Sequence, residues 1–176
     1  MEWLAGGAAF ALFFLYDWNR VFWKKRWMNG FFMAGCVILG AVGAVFIWQG
    51  IQAGRGMRLL WLIPAAVSLG ALIYALFFAL PFEDTYCREA AEAKACRTGI
   101  YGRSRHPGVV PFFFCFLFLG LAAGGRQLAV GMAYSLLNLL YVWYQDRIIF
   151  VREFSDYEAY RKEVPFLFSV GRKAKR

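Results

Sequence analysis

The stretch Pro107–Phe150, PGVVPFFFCFLFLGLAAGGRQLAVGMAYSLLNLLYVWYQDRIIF, contains two long apolar runs joined by the short connection AAGGRQ. A membrane-crossing helix needs about 20 mainly apolar residues. The first run reads as a span from about Pro107 to Gly124, the second as a span from Gln127 to about Phe150. A short connection makes neighbouring helices antiparallel. The polar start of the first run, RSRHPG, then returns to the same side as the polar end of the second, YQDR.

Three further apolar runs precede this hairpin. They extend from Trp3 to about Trp18, from about Asn29 to Ile51, and from Met57 to Phe82. The first reaches full length only if the aromatic stretch before Lys24 continues it. Pro64 is expected to kink the third, because proline has no N–H to donate. Trp18, Trp23, Trp27, Trp48 and Trp61 fall near span ends, as an interfacial aromatic belt does. Gly40 with Ala44 and Ala66 with Gly70 are small-xxx-small pairs of the kind that let helices approach closely.

Composition agrees with a membrane protein. The 176 residues are 61% hydrophobic and only 18% charged, with mean hydropathy +0.48. A soluble domain is nearer half apolar and a quarter charged. The expected fold is therefore all-α: one polytopic domain with three spans in 1–82, then the hairpin and a cytosolic C-terminal segment in 94–169. The N-terminus has no basic region and no cleavage pattern, so it reads as a retained helix rather than a signal peptide. A net charge of +9 would suggest nucleic acid in a soluble chain. With no soluble domain to carry that function, the charge points instead to cytoplasmic loops and anionic lipid heads.

The distribution of charge sets orientation. Arg20, Lys24, Lys25 and Arg26 crowd the first connection. Arg88, Lys94, Arg97, Arg103 and Arg105 crowd the third, and Arg161, Lys162, Arg172, Lys173, Lys175 and Arg176 the tail. By the positive-inside rule these are cytoplasmic, with the N-terminus outside and the C-terminus inside. Beyond the fifth span, Phe150, Phe154, Tyr157 and Val164 recur at roughly helical spacing. They predict one amphipathic interfacial helix ended by Pro165. Of the four cysteines, Cys36 and Cys115 lie in apolar runs. Cys87 and Cys96 lie in a polar loop, expected to be reduced in the cytosol. Their spacing is not that of a zinc site, and with a single histidine no metal is expected.

That histidine, His106, stands beside Arg105 at the start of the fourth span. Helix N-termini attract anions, and Arg105 adds to the attraction. Asp146 and Arg147 return to the same region. A basic cluster facing one carboxylate suits a zwitterionic ligand. The same arginines would equally serve as topology determinants and lipid-head contacts, and Asp146 could pair with Arg147 or the tail. Tyr157 and Tyr160 read as interfacial packing residues. Composition and spacing alone lead to a five-span membrane protein with a cytosolic polar site.

A resemblance narrows this. TGIYGRSRHPG, Thr98–Gly108, resembles the G-[IV]-Y-x-x-x-R-H-P signature of the isoprenylcysteine carboxyl methyltransferases and related phospholipid methyltransferases. FSDYEAYRKEVPF, Phe154–Phe166, is similar to the family's F-G-x-x-Y-x-x-Y-x-x-x-V-P tail. The likeness covers 94–169, and the two motifs stand in the family's order. It implies S-adenosylmethionine (SAM) as methyl donor and a lipid or lipidated, hydrophobic-tailed acceptor. It also implies a cofactor pocket lined by Tyr101, Arg105, His106, Pro107 and Gly108. Asp146 falls at the family's glutamate position, eight residues before Phe154, and Lys94, Ala95 and Cys96 would lie along the adenosine. The sequence departs from the pattern at Val109, Pro111, Arg147 and Ser155, which bears on the acceptor's identity. Two other functions stay open: an NADPH-dependent reductase like the membrane sterol reductases, which carry a similar R-H-P element, and a non-catalytic protein keeping the fold.

Overall fold

The computed structural model describes residues 1–54, 56–79 and 94–168, and all regular structure among them is helical. Helix α1, Glu2–Trp18, continues through a π-turn, Asn19–Trp23, so the aromatic stretch does extend the first run. It stops at Lys24, which takes a left-handed conformation (φ 53°). The buried Asn19 side chain staples the turn, accepting from the Lys25 N–H (2.8 Å) and donating to the Lys25 carbonyl (3.0 Å). Helix α2 is Phe31–Gln52, entered through a 3-10 turn at Arg26–Gly30.

Helix α3, Leu62–Ile73, is shorter than expected, with a 3-10 turn before it and a π-turn, Tyr74–Phe78, after it. Pro64 stands near the change from the 3-10 turn to the α-helix. The residue lies in the first turn, where its missing N–H has no intrahelical partner to lose. Residues 80–82, Cys87 and Arg88 lie outside the described residues. Helix α4, Val109–Ala123, starts two residues later than the sequence suggests, because Pro107 and Gly108 form a turn ahead of it. It ends at Gly124, whose φ of 131° is strained for other residues. Helix α5, Gly125–Tyr144, runs on through the π-turn Gln145–Ile149.

The single amphipathic helix expected after it is broken in two, α6 (Phe150–Glu153) and α7 (Tyr157–Glu163). Phe154 is extended there. Asp156 is used for tertiary bonds, accepting from the Ala95 N–H and the Arg97 guanidinium, each at 2.8 Å.

Among the described residues one helical run, the 27 residues of Arg26–Gln52, is both long and apolar enough to cross a membrane. Leu62–Phe78 and Val109–Ala123 are apolar but shorter. At 1.5 Å per residue, α4 is only about 22 Å long.

The bundle packs α4 against α5, α3 and α2, and α1 against α2 and α5. Phe10, Phe46, Phe116, Val130 and Tyr134 form its buried centre. The α4–α5 hairpin is tight because two glycines meet backbone. A Cβ on Gly120 would lie 2.6 Å from the Leu128 Cα, and one on Gly131 2.7 Å from the Phe116 carbonyl oxygen. The small-residue pairs expected to bring helices together do not do so. A Cβ on Gly40 or Gly70 would meet nothing within 4 Å. At one end, Glu2 accepts from Gln49 (3.0 Å), which accepts from Gln127 (2.6 Å), tying α1, α2 and α5. The candidate site lies where the other end of α5 meets the 94–108 segment and the C-terminal chain.

Candidate functional site

Three chain segments build the site. The first is the loop before α4. Its Gly99 has φ 58° and opens the turn Gly99–Gly102, where a Cβ at Gly102 would lie 2.6 Å from the Arg97 carbonyl oxygen. The second is the π-turn closing α5. The third is the strap after α7. Loop and strap are laced by backbone: Arg105 N–H donates to the Pro165 carbonyl (3.0 Å) and His106 N–H to that of Phe166 (3.2 Å). The fully buried Ser104 hydroxyl also donates to the Phe166 carbonyl (3.3 Å).

Asp146 sits at the centre, its side chain 2% exposed. Oδ1 accepts from Arg105 Nε (2.8 Å), Tyr157 Oη (2.7 Å) and His106 Nε2 (3.2 Å), while Oδ2 accepts from Arg105 Nη2 (3.3 Å). Arg105 is itself buried, and its Nη1 donates to the Arg161 (2.8 Å) and Val164 (2.7 Å) carbonyls. Phe166 covers this guanidinium at 5.8 Å and the imidazole at 4.8 Å.

This arrangement decides between the pairings left open by the sequence. Asp146 pairs with Arg105 across the fold, not with its neighbour Arg147, which is exposed. Tyr157 and Tyr160 do pack, against Ala95 and Val164, but each carries a hydrogen bond as well. Tyr157 is bonded to the central carboxylate. Tyr160 donates to the Tyr101 carbonyl (2.7 Å), and Tyr101 in turn to the Ala75 carbonyl (2.9 Å). The hydrogen-bonding roles of Ser104, Asp156, Tyr157 and Phe166 arise from tertiary contacts that have no local sequence signal. The tail-motif resemblance was the one signal that pointed at Tyr157.

Electrostatically the site is poised around a neutral imidazole. Burial holds the His106 pKa below its ordinary value, although the bond to Asp146 pulls the other way. Nε2–H then donates to Asp146, and the Nδ1 lone pair has no partner among the described residues. Burial first, and the adjacent carboxylate second, push the Tyr157 hydroxyl far above the phenol range, so it stays a donor. Burial takes Tyr101 up to about 12.

The other expected site residues are less closely grouped. Pro107 is buried and adjoins the network, and Gly108 follows it in the turn. Ala95 is buried with its N–H bonded to Asp156. Lys94 is exposed, and the Cys96 thiol lies 3.4 Å from the Thr98 hydroxyl. Among the described residues no three His, Cys, Asp or Glu side chains are grouped to hold a metal ion.

Beside the network runs an apolar groove of about 340 Å³ between α3 and α4, walled by Val67, Ala71, Ala75, Val110, Pro111 and Phe114. Pro107 and Ile100 form its loop end, and Phe168 of the strap also lines it. One residue, Pro107, thus separates the groove from His106.

No protein-family model matches the chain, and no curated protein or solved structure does.

Proposed function

We propose that the chain is an integral membrane methyltransferase that uses SAM to methylate a hydrophobic-tailed acceptor at the cytoplasmic interface. It would act in the manner of the isoprenylcysteine carboxyl methyltransferases it resembles. One observation carries this reading: a buried Arg105–His106–Asp146–Tyr157 cluster adjoins an apolar groove of about 340 Å³ through a shared residue, Pro107. A polar cluster suits a charged cofactor, and an apolar groove suits a hydrocarbon chain.

Five helices crossing the bilayer, with the N-terminus outside, fit the outward apolar surface. Trp48, Leu60, Ile63, Val67, Phe78 and Leu140 are each more than half exposed. A soluble monomer rarely exposes such area. The alternating basic content of the connections supports the orientation.

The donor set fits a zwitterionic cofactor. Asp146 Oδ2 carries a single long bond and retains acceptor capacity for an ammonium group. His106 Nδ1 offers a lone pair. The backbone of Lys94–Cys96 would run along the adenosine. SAM supplies a methyl group on a positively charged sulfur. The chain's part is to hold the acceptor in line and exclude water, which requires no dedicated triad. A carboxylate acceptor is ionised already and needs no base. The neutral His106 lone pair is the group here able to take a proton from an amine acceptor.

Membranes containing the protein are incubated with methyl-labelled SAM and extracted with organic solvent. Label in the lipid phase that is absent with a His106→Ala variant is expected. Label confined to water-soluble small molecules would remove the lipid acceptor, and no transfer to any acceptor would remove the enzyme.

A further inference from the structure

We infer that Asp17, on α1, is a positioning residue that aims Asp146 by holding the adjacent Gln145; the inference rests on the site reading above.

Asp17 lies outside the cluster and is 1% exposed. Its Oδ2 accepts from Tyr141 Oη (2.6 Å) and Gln145 Nε2 (2.8 Å), and Gln145 Nε2 also reaches Tyr141 Oη at 2.9 Å. The three side chains close a triangle between α1 and α5. Among the described residues no Lys or Arg forms an ion pair with Asp17. The Arg20 guanidinium acts on its charge from a distance but is itself paired with Glu153, so the groups that hydrogen-bond Asp17 are neutral. A carboxyl so buried in an apolar bundle is costly, and in a membrane bundle such groups mark function by default.

Its purpose follows from where the donors stand. Tyr141 and Gln145 are four apart, so they share one face of α5, the face turned to α1. Asp146 is the next residue, and on a helix the next side chain points about 100° away. Fixing Gln145 against Asp17 therefore fixes the direction in which Asp146 leaves the helix, toward Arg105, His106 and Tyr157. The backbone is adapted to this at the same point. Gln145 opens the π-turn Gln145–Ile149, and its carbonyl accepts from the Phe150 N–H. Such single turns carry an extra residue and occur frequently at functional sites. A helix with two faces to satisfy one residue apart has a physical reason to widen there. Asp17 touches no ligand in this account. It acts through Gln145 on Asp146, and through Asp146 on His106.

The chain's single histidine makes the test direct, because one imidazole signal reports on the site. The full-length protein in detergent is titrated by NMR on ring-labelled histidine, without cofactor. The charged groups facing that ring are Asp146 and Arg105, with Tyr157 bonded to Asp146. In Asp17→Ala the carboxylate of Asp146 is freed to swing away. The His106 midpoint then falls by about half a unit or more, the sign expected when a nearby anion retreats. Asp17→Asn, which keeps an acceptor oxygen, restores most of the shift.

Gln145→Met breaks the link without leaving Asp17 unserved, since Tyr141 remains. It produces the same fall, and it decides the matter should Asp17→Ala fail to fold. A lowered melting temperature with an unmoved His106 midpoint in the Gln145 variant would make the triangle mere packing and overturn the inference. Because no cofactor is used, the two readings separate. A moved midpoint in a protein that never binds SAM removes the methyltransferase alone. SAM binding with an unmoved midpoint removes the positioning role alone.

Discussion

Replacing Asp146 by alanine removes the acceptor for four contacts at once, two from Arg105 and one each from His106 and Tyr157. What it leaves behind sets the magnitude. The Arg105 guanidinium keeps its two bonds to the Arg161 and Val164 carbonyls but loses its counter-charge in a site where its side chain is 8% exposed. Breaking one side of a buried ion pair costs about 3–5 kcal/mol. At about 2–4 °C per kcal/mol for a chain of this size, the thermal midpoint in detergent falls by about 6–20 °C. Arg147→Ala is the matched control. Its side chain is exposed and forms no ion pair with Asp146, so its effect stays within about 0.5 kcal/mol. The two variants are compared by intrinsic-tryptophan thermal unfolding. Equal and small losses would refute the buried network. A larger loss for Arg147→Ala would restore the local pairing that the sequence left open.

His106→Ala and Asp146→Asn each weaken SAM binding at least about tenfold, or about 1.4 kcal/mol, by calorimetry; unchanged affinity in both would remove the site assignment. The lowered His106 pKa makes stability pH-dependent in a defined direction. Below the ordinary value of 6.5 the unfolded chain takes up a proton that the folded chain refuses, so stability falls with acidification until the folded pKa is reached. His106→Gln flattens that portion of a melting-temperature profile from pH 7 to 5, and an equal slope in both proteins would contradict a neutral buried imidazole. Gly131→Val destabilises by more than about 2 kcal/mol, since its Cβ would meet the Phe116 carbonyl oxygen at 2.7 Å, whereas Gly40→Ala does not destabilise. In a cysteine-free background, a single cysteine at Gly125, which is exposed with open space around it, labels from outside intact cells and one at Lys173 does not; labelling at Lys173 would overturn the orientation.

Helix content and the α4–α5 hairpin were legible because apolar runs and a short connection are local signals. The Pro107–Phe150 stretch needs no distant partner to be read. Boundaries were less legible where backbone is governed by tertiary bonds. One amphipathic period through Phe150, Phe154 and Tyr157 concealed a break, because Asp156 is spent on Ala95 and Arg97, some sixty residues away in sequence. In the site, Arg105, His106 and Asp146 were correctly brought to one place by hairpin topology. Their mutual bonding was not visible, since Arg105 is held in place by the Arg161 and Val164 carbonyls, which carry no side-chain signature. The two glycine contacts of the hairpin were hidden for the same reason. Gly120 and Gly131 meet backbone, while the small-xxx-small spacing pointed at Gly40 and Gly70, which face open space.

Calorimetric titration of the purified full-length protein in detergent, with SAM, its product S-adenosylhomocysteine and NADPH in parallel, tests the central claim most directly. Saturable one-site binding of SAM and S-adenosylhomocysteine, lost on His106→Ala and absent with NADPH, is the predicted result. Saturable binding of NADPH without SAM, or of neither, would contradict it.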